Sequence, residues 1–177
     1  MQFYTLLLLS ACVIISGCLY SSKKSNKTES VITTQALFPD GLIKEFKLSD
    51  YLGKKVILYF YPKNGTPGCT KQARIFRDNF KDLQAHGIVV IGVSYDSLES
   101  HKKFQTTHKL PFILVTDKDK KLTKLYNSSG IFFASRKTVL LDEKGKVIKR
   151  FESVDIANQI NDIFKAFKID RKQGSKP

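Results

Sequence analysis

Paired cysteines are missing from this sequence. It has three cysteines, Cys12, Cys18 and Cys69, and none stands in a C-x-x-C or C-x-x-x-C spacing. That excludes a disulfide scaffold and removes the dithiol that thiol-transfer proteins normally use. Long apolar runs are missing too. A membrane-spanning helix needs about 20 apolar residues, and the run Leu6 to Ile15 falls short before Tyr20-Ser21-Ser22-Lys23-Lys24 interrupts the sequence. There is no glycine-rich phosphate loop or nucleotide fingerprint, no internal repeat and no low-complexity domain. Histidine is sparse. His101 and His108 lie seven apart and could share a helix face, but no third ligand is near, so they are expected at the surface rather than on a metal. His86 precedes Gly87 at a helix end, where a cation is favourable. Asp117 and Asp119, among lysines, read as a solvated turn and helix start. Acidic residues are few, 16 against 30 Lys and Arg, for a formal charge of +14. Such a field favours anionic surfaces, lipid head groups or nucleic acid. The lysines are scattered and no nucleic-acid motif stands out, so no nucleic-acid partner is expected.

What is present centres on Cys69. It ends the run Tyr61-Pro62-Lys63-Asn64-Gly65-Thr66-Pro67-Gly68-Cys69, directly after the strand-like stretch Val56 to Phe60 and before an amphipathic helical pattern. In the first turn of a helix the backbone N–H groups lack intrahelical partners and the dipole is positive, so a thiol there ionises most readily. Pro67 suits the first helical position, where its missing N–H costs nothing. The arrangement reads as an activated sulfur nucleophile. The plainer alternatives are an inert buried thiol, a threonine at 66 that only caps the helix, and prolines at 62 and 67 that only shape a turn.

Pro62 to Cys69 fits P-x-x-x-T-x-x-C, and the chain here resembles the peroxiredoxin family. The longer run YFYPKNGTPGCTKQA looks like the peroxiredoxin Q group, also called bacterioferritin comigratory protein. Arg136-Lys137-Thr138-Val139-Leu140-Leu141-Asp142 resembles the R-x-T-F-L-I-D segment of that group, and Leu110-Pro111-Phe112 with Asp117 resembles its L-P-F…D segment. The likeness covers roughly Val31 to Phe167. It implies that Cys69 is the peroxidatic cysteine, whose thiolate attacks a peroxide oxygen and becomes a sulfenic acid. It implies that Thr66 sets its hydroxyl against the sulfur and the peroxide, that Arg136 stabilises the thiolate and the developing charge, and that Pro62 shapes and shields the pocket. No metal, haem or flavin is expected. Many members of the group carry a resolving cysteine five residues after the peroxidatic one, and here that position is Arg74. An internal disulfide cycle is then closed to this chain if Cys18 is modified, and an external thiol, thioredoxin-like or of low molecular weight, is expected to reduce Cys69.

The N-terminus carries a second signal. Leu6 to Ile15 has the size of a signal-peptide apolar region, and small residues precede a potential cut. Ile15-Ser16-Gly17-Cys18 resembles the lipobox of bacterial lipoproteins, whose cysteine is lipidated and becomes the mature N-terminus. Met1 to Thr5 has no Lys or Arg, a departure from such leaders. The expected organisation is a signal peptide over 1–17, a lipidated tether over 18–30 rich in Ser, Lys and Asn, one domain over 31–170, and a basic tail over 171–177. Cys12 would be discarded with the leader, leaving Cys69 as a lone free thiol in an exported protein, which points to reactivity.

The coarse pattern alternates. Val31 to Phe38 and Leu42 to Leu48 flank Pro39-Asp40-Gly41, a hairpin signal. Val56 to Tyr61 and Ile88 to Val93 are continuous apolar strands of a doubly covered sheet. Ala73, Phe76, Phe80 and Leu83 repeat at helical spacing, and Gly87 ends that helix. Ser97 to His108 reads as a helix and Phe112 to Val115 as a strand. Val139 to Leu141 and Val147 to Phe151 form a second hairpin, and Ile156, Ile160, Ile163, Phe164 and Phe167 make the apolar face of a last helix. The pattern is α/β and looks like the thioredoxin-like fold of peroxiredoxins, a central mixed sheet flanked by helices with an N-terminal β-hairpin. The reading is a membrane-anchored thiol peroxidase, facing the periplasm in the cell envelope, monomeric or weakly dimeric, acting on hydrogen peroxide or organic hydroperoxides. The alternatives are an envelope lipoprotein for thiol transfer or metal delivery, and a catalytically inactive binding module.

Overall fold

Residues 32–170 are described by the structure, a computed structural model. The leader, Cys12, Cys18, the tether and the tail at 171–177 lie outside the described residues. Seven strands form one mixed sheet: β1 Thr33–Leu37, β2 Ile43–Lys47, β3 Lys55–Phe60, β4 Ile88–Ser94, β5 Ile113–Thr116, β6 Lys137–Leu141 and β7 Val147–Phe151, in the order β2-β1-β5-β4-β3-β6-β7. β3 runs parallel to β4, and β4 to β5. Both flanks are antiparallel hairpins, β1–β2 joined through β1–β5 and β6–β7 joined through β3–β6. The expected N-terminal hairpin and mixed centre are both there.

The central strands β3, β4 and β5 are apolar except for Lys55, Ser94 and Thr116 at their ends, because both faces are covered. Ile57, Tyr59 and Tyr61 point into one core, and Val56, Leu58 and Phe60 into the other. The first core is roofed by α1 Pro67–Asp78, α2 Phe80–Ala85, α3 Leu98–His108 and α5 Gln159–Ala166, through Phe76, Leu83, Phe104, Ile163 and Phe164. The second is closed by Phe46, the 3-10 turn Leu48–Tyr51, and α4 Lys121–Leu125 with Leu122 and Tyr126. Cys69 belongs to the first core.

Three expectations need correction. The helix ending at Gly87 is two helices, broken at Asn79, whose Nδ2 donates to the Ile75 carbonyl at 2.9 Å. An asparagine that satisfies the last carbonyls by its side chain favours termination over continuation. His101 is fully buried, not at the surface. Asp117 is buried as well: its two carboxylate oxygens accept from the backbone N–H of Leu122 and of Thr123, at 3.1 and 2.8 Å. It caps α4 instead of facing solvent.

Candidate active site

β3 ends in the core and the chain turns through Pro62 to Thr66 before α1 begins. Thr66 is the N-cap with extended backbone, and Pro67, Gly68 and Cys69 are the first three helical residues. The sulfur therefore sits in the first helical turn, and it is buried, 1 % exposed. Arg136, at the entrance to β6, reaches over Gly68. Its Nη2 donates to Cys69 Sγ at 3.3 Å and its Nη1 to Gln72 Oε1 at 2.7 Å. A Cβ on residue 68 would stand 3.1 Å from that Nη2, so any larger residue there would press the guanidinium back by a few tenths of an ångström.

The guanidinium is held from behind by a buried amide chain. Gln72 Nε2 donates to Gln159 Oε1 at 3.1 Å, and Gln159 Nε2 donates to Thr138 Oγ1 at 2.6 Å. Gln72, Gln159 and Thr138 are all buried. A planar fork bonded on both prongs has little freedom left, which fixes its charge on the sulfur.

The loop before Cys69 has its own support. The Asn64 backbone N–H donates to Asp96 Oδ2 at 2.9 Å, and Ser94 Oγ donates to the same oxygen at 2.7 Å. Asn64 Oδ1 accepts from Tyr61 Oη at 2.8 Å. Asn64 Nδ2 donates to Ser100 Oγ at 2.9 Å and to His101 Nδ1 at 3.1 Å. His101 Nδ1 is thus an acceptor, and the neutral ring carries its proton on Nε2, which faces the Val115 carbonyl short of hydrogen-bond geometry. Burial lowers the His101 pKa to about 4, against the opposing pull of Asp96. Tyr59 and Tyr61 stack beneath, their ring centroids 5.3 Å apart. Burial holds both phenols neutral, well above their ordinary range, and the charge of Cys69 adds to this.

Of the residues singled out in the sequence, Cys69 and Arg136 are brought into contact. Pro62 is half-buried in the turn. Thr66 stands at the N-cap, with its Oγ1 donating to the Lys63 carbonyl at 3.1 Å. Arg74 is exposed on α1, five residues along the helix from the sulfur. Sequence reasoning missed Gln72, Gln159, Asn64, Asp96 and the role of His101. One signal was available: Gln72 and Gln159 are polar residues on helix faces that are otherwise apolar.

The site is a buried sulfur at a helix start, with one fixed cation on it and aromatic walls below. That suits attack by a thiolate on a substrate whose leaving oxygen needs a hydrogen-bond donor. The model of the AhpC/TSA family matches residues 32–150. The chain is 41 % identical over 130 residues to peroxiredoxin Bcp of Bacillus subtilis, covering 69 % of this chain and 83 % of that one. It is 45 % identical over 103 residues to the chloroplastic peroxiredoxin Q of Sedum lineare, covering 56 % and 55 %. Among solved structures, PrxQ of Xylella fastidiosa superposes with a TM-score of 0.73 at 25 % identity, covering 81 % of this chain and 91 % of that one. The bacterioferritin comigratory protein of Xanthomonas campestris, studied for alkyl peroxide reduction, superposes at 0.72 with 26 % identity, covering 80 % and 92 %.

Proposed function

Because the chain belongs to the AhpC/TSA family, in its peroxiredoxin Q group, and is a thiol-dependent peroxidase, we propose that Cys69 is its peroxidatic nucleophile and works without a second cysteine of its own. The observation that carries this is the Arg136 donor on the Cys69 sulfur, 3.3 Å away, in the first turn of α1.

The thiolate attacks one oxygen of the peroxide. The O–O bond breaks, a sulfenic acid forms on Cys69, and the leaving oxygen takes a proton and departs as water or an alcohol. Arg136 stabilises the thiolate before attack and the developing negative charge during it. Thr66, at the N-cap, carries a hydroxyl that donates to the Lys63 carbonyl in the resting site and is assigned to the bound peroxide. Pro62, half-buried in the turn before α1, is assigned to shape the pocket. An external thiol then condenses with the sulfenic acid, releasing water and leaving a mixed disulfide. A second external thiol displaces Cys69 and restores it. The protein is also proposed to be a lipoprotein anchored through Cys18 in the cell envelope, on the strength of Ile15-Ser16-Gly17-Cys18 after a short apolar run.

The test is direct. With dithiothreitol as reductant, wild type consumes hydrogen peroxide, and a sulfenic-acid reagent labels Cys69 after one equivalent. Cys69→Ser keeps its circular dichroism and loses both signals. Peroxide consumption retained by Cys69→Ser would sink the assignment.

A further inference from the structure

The loop Ser128 to Ser135 leaves three consecutive apolar side chains in water. Ile131, Phe132 and Phe133 are 82, 80 and 51 % exposed. A single exposed apolar residue is ordinary; three together at a loop tip mark an interaction surface. The loop is built. Ser135 N–H donates to the Ser128 carbonyl at 2.8 Å, and Lys120 Nζ donates to the carbonyls of Ile131 and Gly130 at 2.7 and 3.3 Å. The Phe133 carbonyl lies where a Cβ on Gly130 would be, 2.2 Å away, so only glycine allows the loop to fold back on itself.

The surroundings are cationic. Lys63 Nζ stands 5.9 Å from the centre of the Phe133 ring. Lys137 Nζ donates to the Asn127 carbonyl at the loop's base. From Lys120 to Leu141 the sequence has Lys120, Lys121, Lys124, Arg136 and Lys137 and no Asp or Glu; Lys137 and Lys121 are paired with Glu152 and Asp119 from outside it, and the ammonium groups set against the tip itself are those of Lys63 and Lys120. An apolar tip flanked by two ammonium groups, on a chain of net charge +14, is the make-up of an anchor for an anionic lipid interface. A protein partner fits less well. Interface cores are depleted in lysine and stable ones cover about 800 Å² on each side, and a second copy would bring another +14 charge.

The tip also stands at the site. Lys63 belongs to the loop that leads to Cys69, and its carbonyl accepts the Thr66 hydroxyl. Arg136 follows Phe133 by three residues. We infer that the Ile131–Phe133 tip inserts into an anionic lipid surface and presents the Cys69 pocket to hydroperoxides carried by the lipid. The substrate half rests on the peroxidase reading above. The step is the same: lipid–OOH and the Cys69 thiolate, with one proton, give lipid–OH and the sulfenic acid, which an external thiol reduces.

The chain has no tryptophan, so Phe132→Trp places a sole tryptophan on the tip, excited at 295 nm apart from the tyrosines. In the full chain carrying Cys18→Ser, its emission shifts blue and is quenched by vesicles of half phosphatidylglycerol and half phosphatidylcholine with brominated chains. Pure phosphatidylcholine vesicles quench it several-fold less. In the same background, Ile131→Ser with Phe132→Ser lowers the rate on phospholipid hydroperoxide in the anionic vesicles at least tenfold and leaves the hydrogen peroxide rate within twofold. Absence of quenching overturns insertion. So does quenching that follows protein dimerisation in sedimentation instead of added lipid. An equal fall in both rates shows that the tip only supports the site and overturns the substrate half. A parent protein that is quenched yet reduces neither peroxide breaks the peroxidase reading and leaves insertion standing.

Discussion

Arg136 divides its fork between a sulfur and an amide, and the division decides what each substitution should do. Arg136→Ala removes a charged donor from the place where charge develops, a change that typically lowers a rate by about 10²–10³. The expected outcome in stopped-flow with hydrogen peroxide is a fall of about 10² in the oxidation rate of Cys69. Arg136→Lys recovers a small part, because one ammonium cannot serve Gln72 and Cys69 as the fork does. Gln72→Leu leaves the guanidinium on the sulfur but frees its other prong and strands the Gln159 carbonyl. We expect a fall of about tenfold in rate and a loss of about 1–3 kcal/mol in urea unfolding, the usual cost of a stranded buried polar group. A rate unchanged in Gln72→Leu would mean that the helix alone positions Arg136. The Cys69 and Arg136 segments were legible in the sequence as motifs, each local in the chain. The Gln72–Gln159–Thr138 chain was not, since its members lie on three elements and only the closed fold makes them neighbours. Asp117 and His101 were misread for the same reason: burial of a polar side chain depends on partners distant in sequence.

Among the elements, α1 and the loop before it hold the proposed nucleophile. Cys69 is 1 % exposed, so no external thiol reaches a sulfenic acid there unless the first turn of α1 opens. That opening can be captured. Residues five apart on a helix are separated by about 7.5 Å of rise, beyond the span of an unstrained disulfide, so in Arg74→Cys the new thiol bonds Cys69 only if the helix unwinds. Intact mass after one equivalent of peroxide should show a loss of two hydrogens. A gain of one or two oxygens would mean that α1 stays closed. The loop from Pro62 to Thr66 depends on α3 through Asn64, Ser100 and His101. His101 titrates near 4 in the fold against an ordinary 6.5, so the unfolded chain binds its proton first. Stability is complete above pH 6.5 and falls as pH drops toward about 4, by on the order of 3 kcal/mol at the most. His101→Gln should start less stable and show a flatter profile between pH 6.5 and 4 in thermal unfolding. Equal slopes would put the acid sensitivity elsewhere. The strands and hairpins were legible to within a residue or two because period and turn chemistry are local. The break at Asn79 was not, because apolar spacing runs on through it.

For the molecule as a whole, charge and lipid act on the same surface question. The formal charge is +14, and residues 1 to 18 contribute none of it. Among the described residues no helix is long and apolar enough to cross a membrane. Attachment, on the reading proposed, comes from acyl chains on Cys18 with the basic surface and the Ile131–Phe133 tip in support. A single acyl chain binds a bilayer only marginally, whereas two chains, or one with a basic patch, hold firmly. Metabolic labelling with a fatty acid should therefore tag the wild-type chain, and Cys18→Ser should remove the tag. The same variant should move from a membrane pellet that resists 1 M salt to one that salt releases. What remains bound at low salt then measures the basic surface and the tip together, since screening at 1 M reaches about 3 Å and removes the electrostatic part. A wild-type chain that takes up no label, or a Cys18→Ser chain still resistant to salt, would mean that Ile15-Ser16-Gly17-Cys18 does not direct lipidation and that another segment makes the attachment.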